Sequence, residues 1–390
     1  MPLITSSSDL SLLCRCLSEN LAVRSEAFFE LSDKERRKGV LRLAADENLL
    51  PAFWEAAGSF PDCLTKPERI SLAIAHEANR RKNAQIRNAI LEIASKAETK
   101  SISLAVLKGA RWIFETPAEV CAWRTMIDFD ILVDPDNLQA TRALLEELGY
   151  RAARRERGFL GGRRFEGHYH LVAMSRDAEP YTVEVHRHTG WRPTLLPNQA
   201  IFESSRKVTA SLCIPSASLA AFHAVVHWQV HHYGYQLGLQ HVKEGLEICK
   251  FLACKDVDWA EVKALAEEGG VARELDASVE AASELFGMPL PTSISSSEAG
   301  RRYARKIIQM RQSRLLRWRA KQWQRILRLW YDDRFTYRMM LRKASPAAIR
   351  SGLWGLRLRR LPFILSHFVS IGLLEVAARL NRAMSLGPTR

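Results

Sequence analysis

At 390 residues, 47% hydrophobic and 26% charged, the chain has the size and composition of a globular protein with two or three packed domains, which excludes a fibrous or low-complexity class. Net charge is +14, yet residues 301–390 hold 22 Lys and Arg against 3 Asp and Glu, so the basic character belongs to that segment alone. Seven scattered cysteines, an odd number, exclude a disulfide framework and point to buried thiols in a reducing cytoplasm.

The N-terminus lacks a basic region followed by a long apolar core, so no secretory signal is expected. No run of about 18 uncharged apolar residues predicts a spanning helix; the closest stretch, 361–378, is interrupted by His367 and Glu375. Residues 9 to about 100 read as helices. Leu10, Leu13, Leu17 and Leu21 recur at helical spacing, Asp33 suits a helix cap, Pro51 a first turn, and 67–97 is a long amphipathic helix. This segment, 1–100, is expected to be a helical scaffold.

From 101 to 215 the pattern changes to alternating strands and helices. The apolar run Ile102 to Leu107 predicts a strand ending at Lys108-Gly109, where a lysine and free backbone amides make a phosphate seat. The next strand carries Asp128 and Asp130, two residues apart and therefore on one face, with Ile127, Phe129, Ile131 and Val133 expected on the buried one. Like charges so close repel unless a cation lies between them. Asp134-Pro135-Asp136 predicts a turn capping a helix over 137–148, ended by Gly149. GFLGGRRFEG, 158–167, reads as a mobile hairpin or loop, and 168–174 and 181–186 as paired antiparallel strands. Glu184 and His186 share one face of the last of these, which makes Glu184 a candidate third carboxylate.

Residues 216–300 return to helix, with Asp258 as a cap. His223, His227 and His231 fall at i, i+4 and i+8, but the glutamate of a metalloprotease helix is absent, and the expectation is histidines hydrogen-bonded within a packing face. In 301–390 Trp318, Trp323, Trp330 and Trp354 lie among arginines. That region reads first as an amphipathic helix whose arginines are solvated, next as a segment suited to an anionic membrane surface or acidic partner, with nucleic acid a weaker expectation.

Lys108-Gly109, Arg124, Asp128-Phe129-Asp130-Ile131-Leu132-Val133, Gly149-Tyr150 and Val183-Glu184-Val185-His186, taken together, carry a resemblance. The sequence resembles the uncharacterised bacterial nucleotidyltransferases, a divergent branch of the polymerase-β-like superfamily. The likeness implies an α+β fold, a small mixed β-sheet nucleotidyltransferase core flanked by helical N-terminal and C-terminal regions. It implies Mg²⁺ or Mn²⁺ held by Asp128, Asp130 and Glu184, and a nucleoside triphosphate, with ATP expected, bound by Lys108, Gly109, Arg124 and His186. Nucleotidyl transfer to an acceptor outside the reach of sequence reading would follow, in the cytoplasm or at the inner membrane face. The chain departs from the superfamily at the turn, where Lys108-Gly109 replaces Gly-Ser, and over 240–246, which offers only Glu244 as a downstream carboxylate. Two other readings use the same residues: a nucleotide-sugar glycosyltransferase with an Asp-x-Asp metal site, and a binding module that keeps the fold without catalysis.

Overall fold

The computed structural model describes residues 9–115, 121–152, 169–190 and 192–312, and positions 320, 321 and 324. Met1–Gln309 forms one compact unit; the second, Met310–Arg390, lies almost entirely outside the described residues. The loop expected over 158–167 and the Trp-rich part of the basic C-terminal region are likewise outside them.

The N-terminal third is helical, as its periodicity requires. Helices α1 (Asp9–Cys16), α2 (Leu21–Glu30), α3 (Lys34–Asp46) and α4 (Leu50–Ala57) lead into the 33-residue α5 (Lys66–Glu98). Side-chain caps start them: Asn20 accepts from the Ala22 N–H, and Asp33 from the Arg36 N–H at 2.8 Å. Thr65 and Glu68 close a capping box on α5, with Pro67 in its first turn, and Glu68 also takes Arg37.

The fold is α+β, with a seven-stranded mixed sheet at its centre. Strand β1 (Leu104–Leu107) is followed by β2 (Asp128–Val133), α6 (Leu138–Glu147), β3 (Arg151–Ala152), β4 (Met174–Ser175), β5 (Thr182–His186), α7 (Asn198–Glu203), β6 (Arg206–Lys207) and β7 (Leu212–Ile214). The spatial order is β3-β4-β5-β2-β1-β7-β6. β1 and β2 pair antiparallel, while β2–β5 and β1–β7 are parallel. Among the described residues of the strand expected over 168–174, only Met174 joins a named strand; His170 makes an isolated bridge to His186.

Alternation along β2 divides two cores. Phe129, Ile131 and Val133 are fully buried with Val183 and Val185 against Ile86, Ile90 and Ile93 of α5 and Leu144 and Leu145 of α6. Each such side chain contributes about 1.5–3 kcal/mol by leaving water. Ile127, expected on that buried face, is instead 73% exposed: it precedes the strand, and only its carbonyl is engaged, by the Thr182 N–H. On the other face Ala105, Leu107 and Leu132 pack into a helical core.

That core joins the N-terminal helices to α8 (Ala217–Val225), a π-helical segment Val226–His231, α9 (Gly234–Leu237), α10 (Val242–Ala253), α11 (Trp259–Glu268), α12 (Ala272–Phe286) and α13 (Glu298–Gln312). Ser216 caps α8 and Asp258 caps α11. Gly287 ends α12 in the left-handed region, φ 67°, and a Cβ there would come within 2.8 Å of Val23. The face of β2 that carries the aspartates is therefore roofed by helices. No described helix is long and apolar enough to cross a membrane.

Candidate functional site

Parallel pairing of β2 with β5 sets Asp130 opposite Glu184 and Leu132 opposite His186. In a parallel ladder, paired residues point to one face, so two carboxylates 54 residues apart in sequence become neighbours. His186 Nε2 lies 2.7 Å from Asp130 Oδ1 and 3.7 Å from Glu184 Oε2. Lys108, next to Leu107, which pairs with Asp130, reaches the same Oδ1 at 2.7 Å. Its backbone is left-handed, φ 51°, a conformation that costs a non-glycine residue about 1 kcal/mol and persists where the surrounding structure holds it. Behind it Gly109 is needed for room, since a Cβ would meet Met126 Sδ at 3.0 Å and Arg124 Nε at 3.2 Å.

The charges of this cluster are strongly unequal. Burial pushes the Asp130 carboxyl up, but the Lys108 ammonium and His186 more than offset it and hold it well below the usual carboxylate range. Asp128 moves the other way: burial, then Asp130 and Glu184, push it up, with Lys108 and Lys243 only partly compensating. Burial opposes charge on Glu184 too, and the His186 bond brings it below its ordinary value.

Among the described residues one group has three metal-ligand atoms within 4.8 Å of one another: Asp130, Glu184 and His186. Asp128, expected in the metal set, is not part of it, and His186, expected beside the nucleotide, is. Two carboxylates and an imidazole fit a divalent cation; the oxygens suit Mg²⁺ or Mn²⁺, and the nitrogen favours Mn²⁺ of the two.

Arg124 lies behind Gly109 and pairs with a helix. Its side chain, 9% exposed, pairs with Glu247 of α10 at 3.1 Å, and Glu247 also accepts from Trp112 Nε1 at 2.9 Å. Trp112 belongs to the 3₁₀ turn Lys108–Phe114, so one carboxylate ties α10 to both that turn and the loop before β2. From below, Asn79 and Asn83 of α5 donate to the Arg124 carbonyl, and Asn83 also to that of Cys121. Glu247→Ala strands a buried guanidinium and is expected to cost about 3–5 kcal/mol in urea unfolding, much of it recovered by adding Arg124→Met. An unchanged midpoint for the single variant would refute the bracing role.

Glu247 escaped sequence reading by one residue, lying just past the 240–246 stretch. Asn79 and Asn83 did leave a signal, two amides at i and i+4 on the apolar face of a helix. His223 and His227 meet as helical spacing implied, ring centroids 6.1 Å apart and edge to face. From Val226 the helix is π-helical, and His227 also meets His232, Nε2 to Nε2 at 3.1 Å, while His223 lies 3.3 Å from the Thr189 carbonyl. Burial leaves His223, His227 and His231 neutral.

A family model described as "Uncharacterised nucleotidyltransferase" matches residues 33–287, which is more than half of the chain and includes every residue of the site. No curated protein and no solved structure matches.

Proposed function

The chain belongs to the uncharacterised nucleotidyltransferase family, and from that premise we propose that it transfers NMP from a nucleoside triphosphate, ATP being expected, to an acceptor hydroxyl or phosphate with release of pyrophosphate. The observation that carries this reading is the juxtaposition of Asp130 and Glu184 across β2 and β5, with Lys108 on the same carboxylate. Asp130, Glu184 and His186 would hold a divalent cation, with Asp128 at the margin of the set. When bound, such a cation polarises phosphoryl oxygens and stabilises the departing pyrophosphate.

The chain's own groups do the rest. Lys108 keeps its charge at the Gly109 turn, where its ammonium would attract the β- and γ-phosphates. Asp128, the carboxylate pushed upward, is suited to take the proton of the attacking hydroxyl. Arg124 and Glu247 hold the loop that presents it.

The test is product identity. The full chain with α-labelled ATP, Mg²⁺ or Mn²⁺ and a panel of acceptors is expected to release pyrophosphate and label an acceptor. Nucleoside diphosphate release from a nucleotide sugar would indicate glycosyl transfer instead. Bound ATP without turnover across the panel would indicate a non-catalytic module.

A further inference from the structure

A cleft of about 520 Å³ opens where α3, α4 and α5 meet the start of the site strands, and its volume is that of a small-molecule site. None of its lining residues belongs to the cluster of Lys108, Asp130, Glu184 and His186. It lies beside that cluster all the same. Thr125, in the lining, precedes Asp128 by three residues, so the two are at most about 11 Å apart. Pro180, also in the lining, comes two residues before Thr182, the partner of Asp128 in the β2–β5 ladder. Between Thr125 and Asp128 in the chain stands Ile127, 73% exposed and packed into neither core. A molecule that reached from the cleft to Asp128 would cover it.

Hydrogen bonds hold the cleft open in advance of any ligand. Asn79 Nδ2 donates to the Arg124 carbonyl at 3.1 Å, and Thr125 Oγ1 to the Asn48 carbonyl at 2.9 Å. The loop before β2 is thereby tied to α5 on one side and to the turn after α3 on the other. Asn79 is 5% exposed, and its Oδ1 has no partner among the described residues. Asn48, Lys82 and Gln85 also line the cleft, and among the described residues no side-chain hydrogen bond or ion pair engages them. The other cation of the lining, Arg81, is paired with Glu77 at 2.7 Å, and the lining contains no carboxylate. Leu50, Pro51, Ala75, Ala78 and Pro180 supply an apolar wall. One unpaired ammonium beside free amides on an apolar wall is complementary to a small molecule with an apolar body and a single acidic group.

We propose that the cleft is the acceptor subsite and takes a small hydroxy acid of largely apolar skeleton, its acid group on Lys82 and its hydroxyl carried across Ile127 toward the Asp128 end of β2. Gln85, three residues beyond Lys82 and on the same face of α5, adds an amide donor to the acid group. In the transfer the hydroxyl oxygen bonds the α-phosphorus and the bond from that phosphorus to the α–β bridging oxygen breaks. Pyrophosphate leaves with that bond's electron pair, and the hydroxyl proton is released to water. The acceptor assignment rests on the nucleotidyl-transfer reading; the cleft as a seat for an apolar acid does not.

The probe is anilinonaphthalene sulfonate, an apolar anion that fluoresces on leaving water, titrated into the full chain held in Mg²⁺ and α,β-methylene ATP. Phenylnaphthylamine, the same skeleton without the acid group, is the uncharged arm. The sulfonate is expected to bind alongside the analogue, about tenfold more weakly in Lys82→Gln and with its affinity restored in Lys82→Arg. Phenylnaphthylamine is expected to bind wild type and Lys82→Gln equally. Ala78→Phe, which fills the cleft, is expected to exclude both dyes at an unchanged urea midpoint. Sulfonate affinity unmoved by Lys82→Gln or by Ala78→Phe overturns the site, and so does an equal loss of the uncharged dye in Lys82→Gln. Competition between dye and analogue assigns the cleft to the nucleotide and overturns the acceptor subsite. Failure of the wild type to bind the analogue, with the sulfonate still held through Lys82, overturns nucleotidyl transfer while upholding the cleft as a seat for an apolar acid.

Discussion

Replacing Asp130 with asparagine is expected to abolish Mn²⁺ binding and to lower nucleotidyl transfer about 10³-fold. Asp130 is 5% exposed and is the one carboxylate that touches both His186 and Lys108. Asparagine keeps its shape and removes its charge, leaving the Lys108 ammonium without the carboxylate it bonds directly. Breaking a buried pair in this way costs about 3–5 kcal/mol, so lost activity alone would not separate a missing ligand from a loosened fold. Adding Lys108→Met removes the stranded charge. The double variant is expected to regain most of the wild-type urea midpoint while still failing to bind Mn²⁺ in a paramagnetic resonance titration. Mn²⁺ affinity equal to wild type in Asp130→Asn would remove Asp130 from the metal set.

Acidification should weaken the fold well before the carboxylates titrate. His223 is held down to about 3 by its burial, His227 and His231 well below their ordinary value, and His170 to about 4. A histidine depressed in the folded state is neutral there, whereas the unfolded chain takes a proton below about pH 6.5. Its contribution is therefore full above that pH and falls, by about 1.4 kcal/mol per unit and per histidine, as pH drops toward the folded value. His186 has the opposite sign, since its bonds to Asp130 and Glu184 overcome burial and raise it, so it adds stability on acidification. The depressed group outweighs it. Between pH 7 and 5.5 a net loss of about 2–4 kcal/mol is expected from urea unfolding, reduced in His227→Phe. Stability that stays level or rises over that interval would contradict the buried, neutral cluster.

Local features of this chain were legible because they depend on neighbours in sequence. Asp33 and Asp258 cap helices through amides two or three residues away, and α5 is read from its own apolar repeat. The alternation in β2 needs only the period of a strand, and it correctly turned Phe129, Ile131 and Val133 to one side. Ile127 fell outside that logic because the strand begins one residue later, and the contact of His227 with His232 did because the helix is π-helical from Val226.

The sequence by itself determined the helices and their caps, the strand with its paired aspartates and the Lys108-Gly109 turn. Those are short-range consequences of side-chain period, backbone freedom and charge. Only the tertiary structure decided that β5 lies parallel beside β2, so that Glu184 and His186 close on Asp130 while Asp128 stays at the margin. It also decided that Arg124 turns to Glu247, 123 residues away. Buried charges find their partners through the whole packing of the chain, and sequence spacing carries no record of that distance.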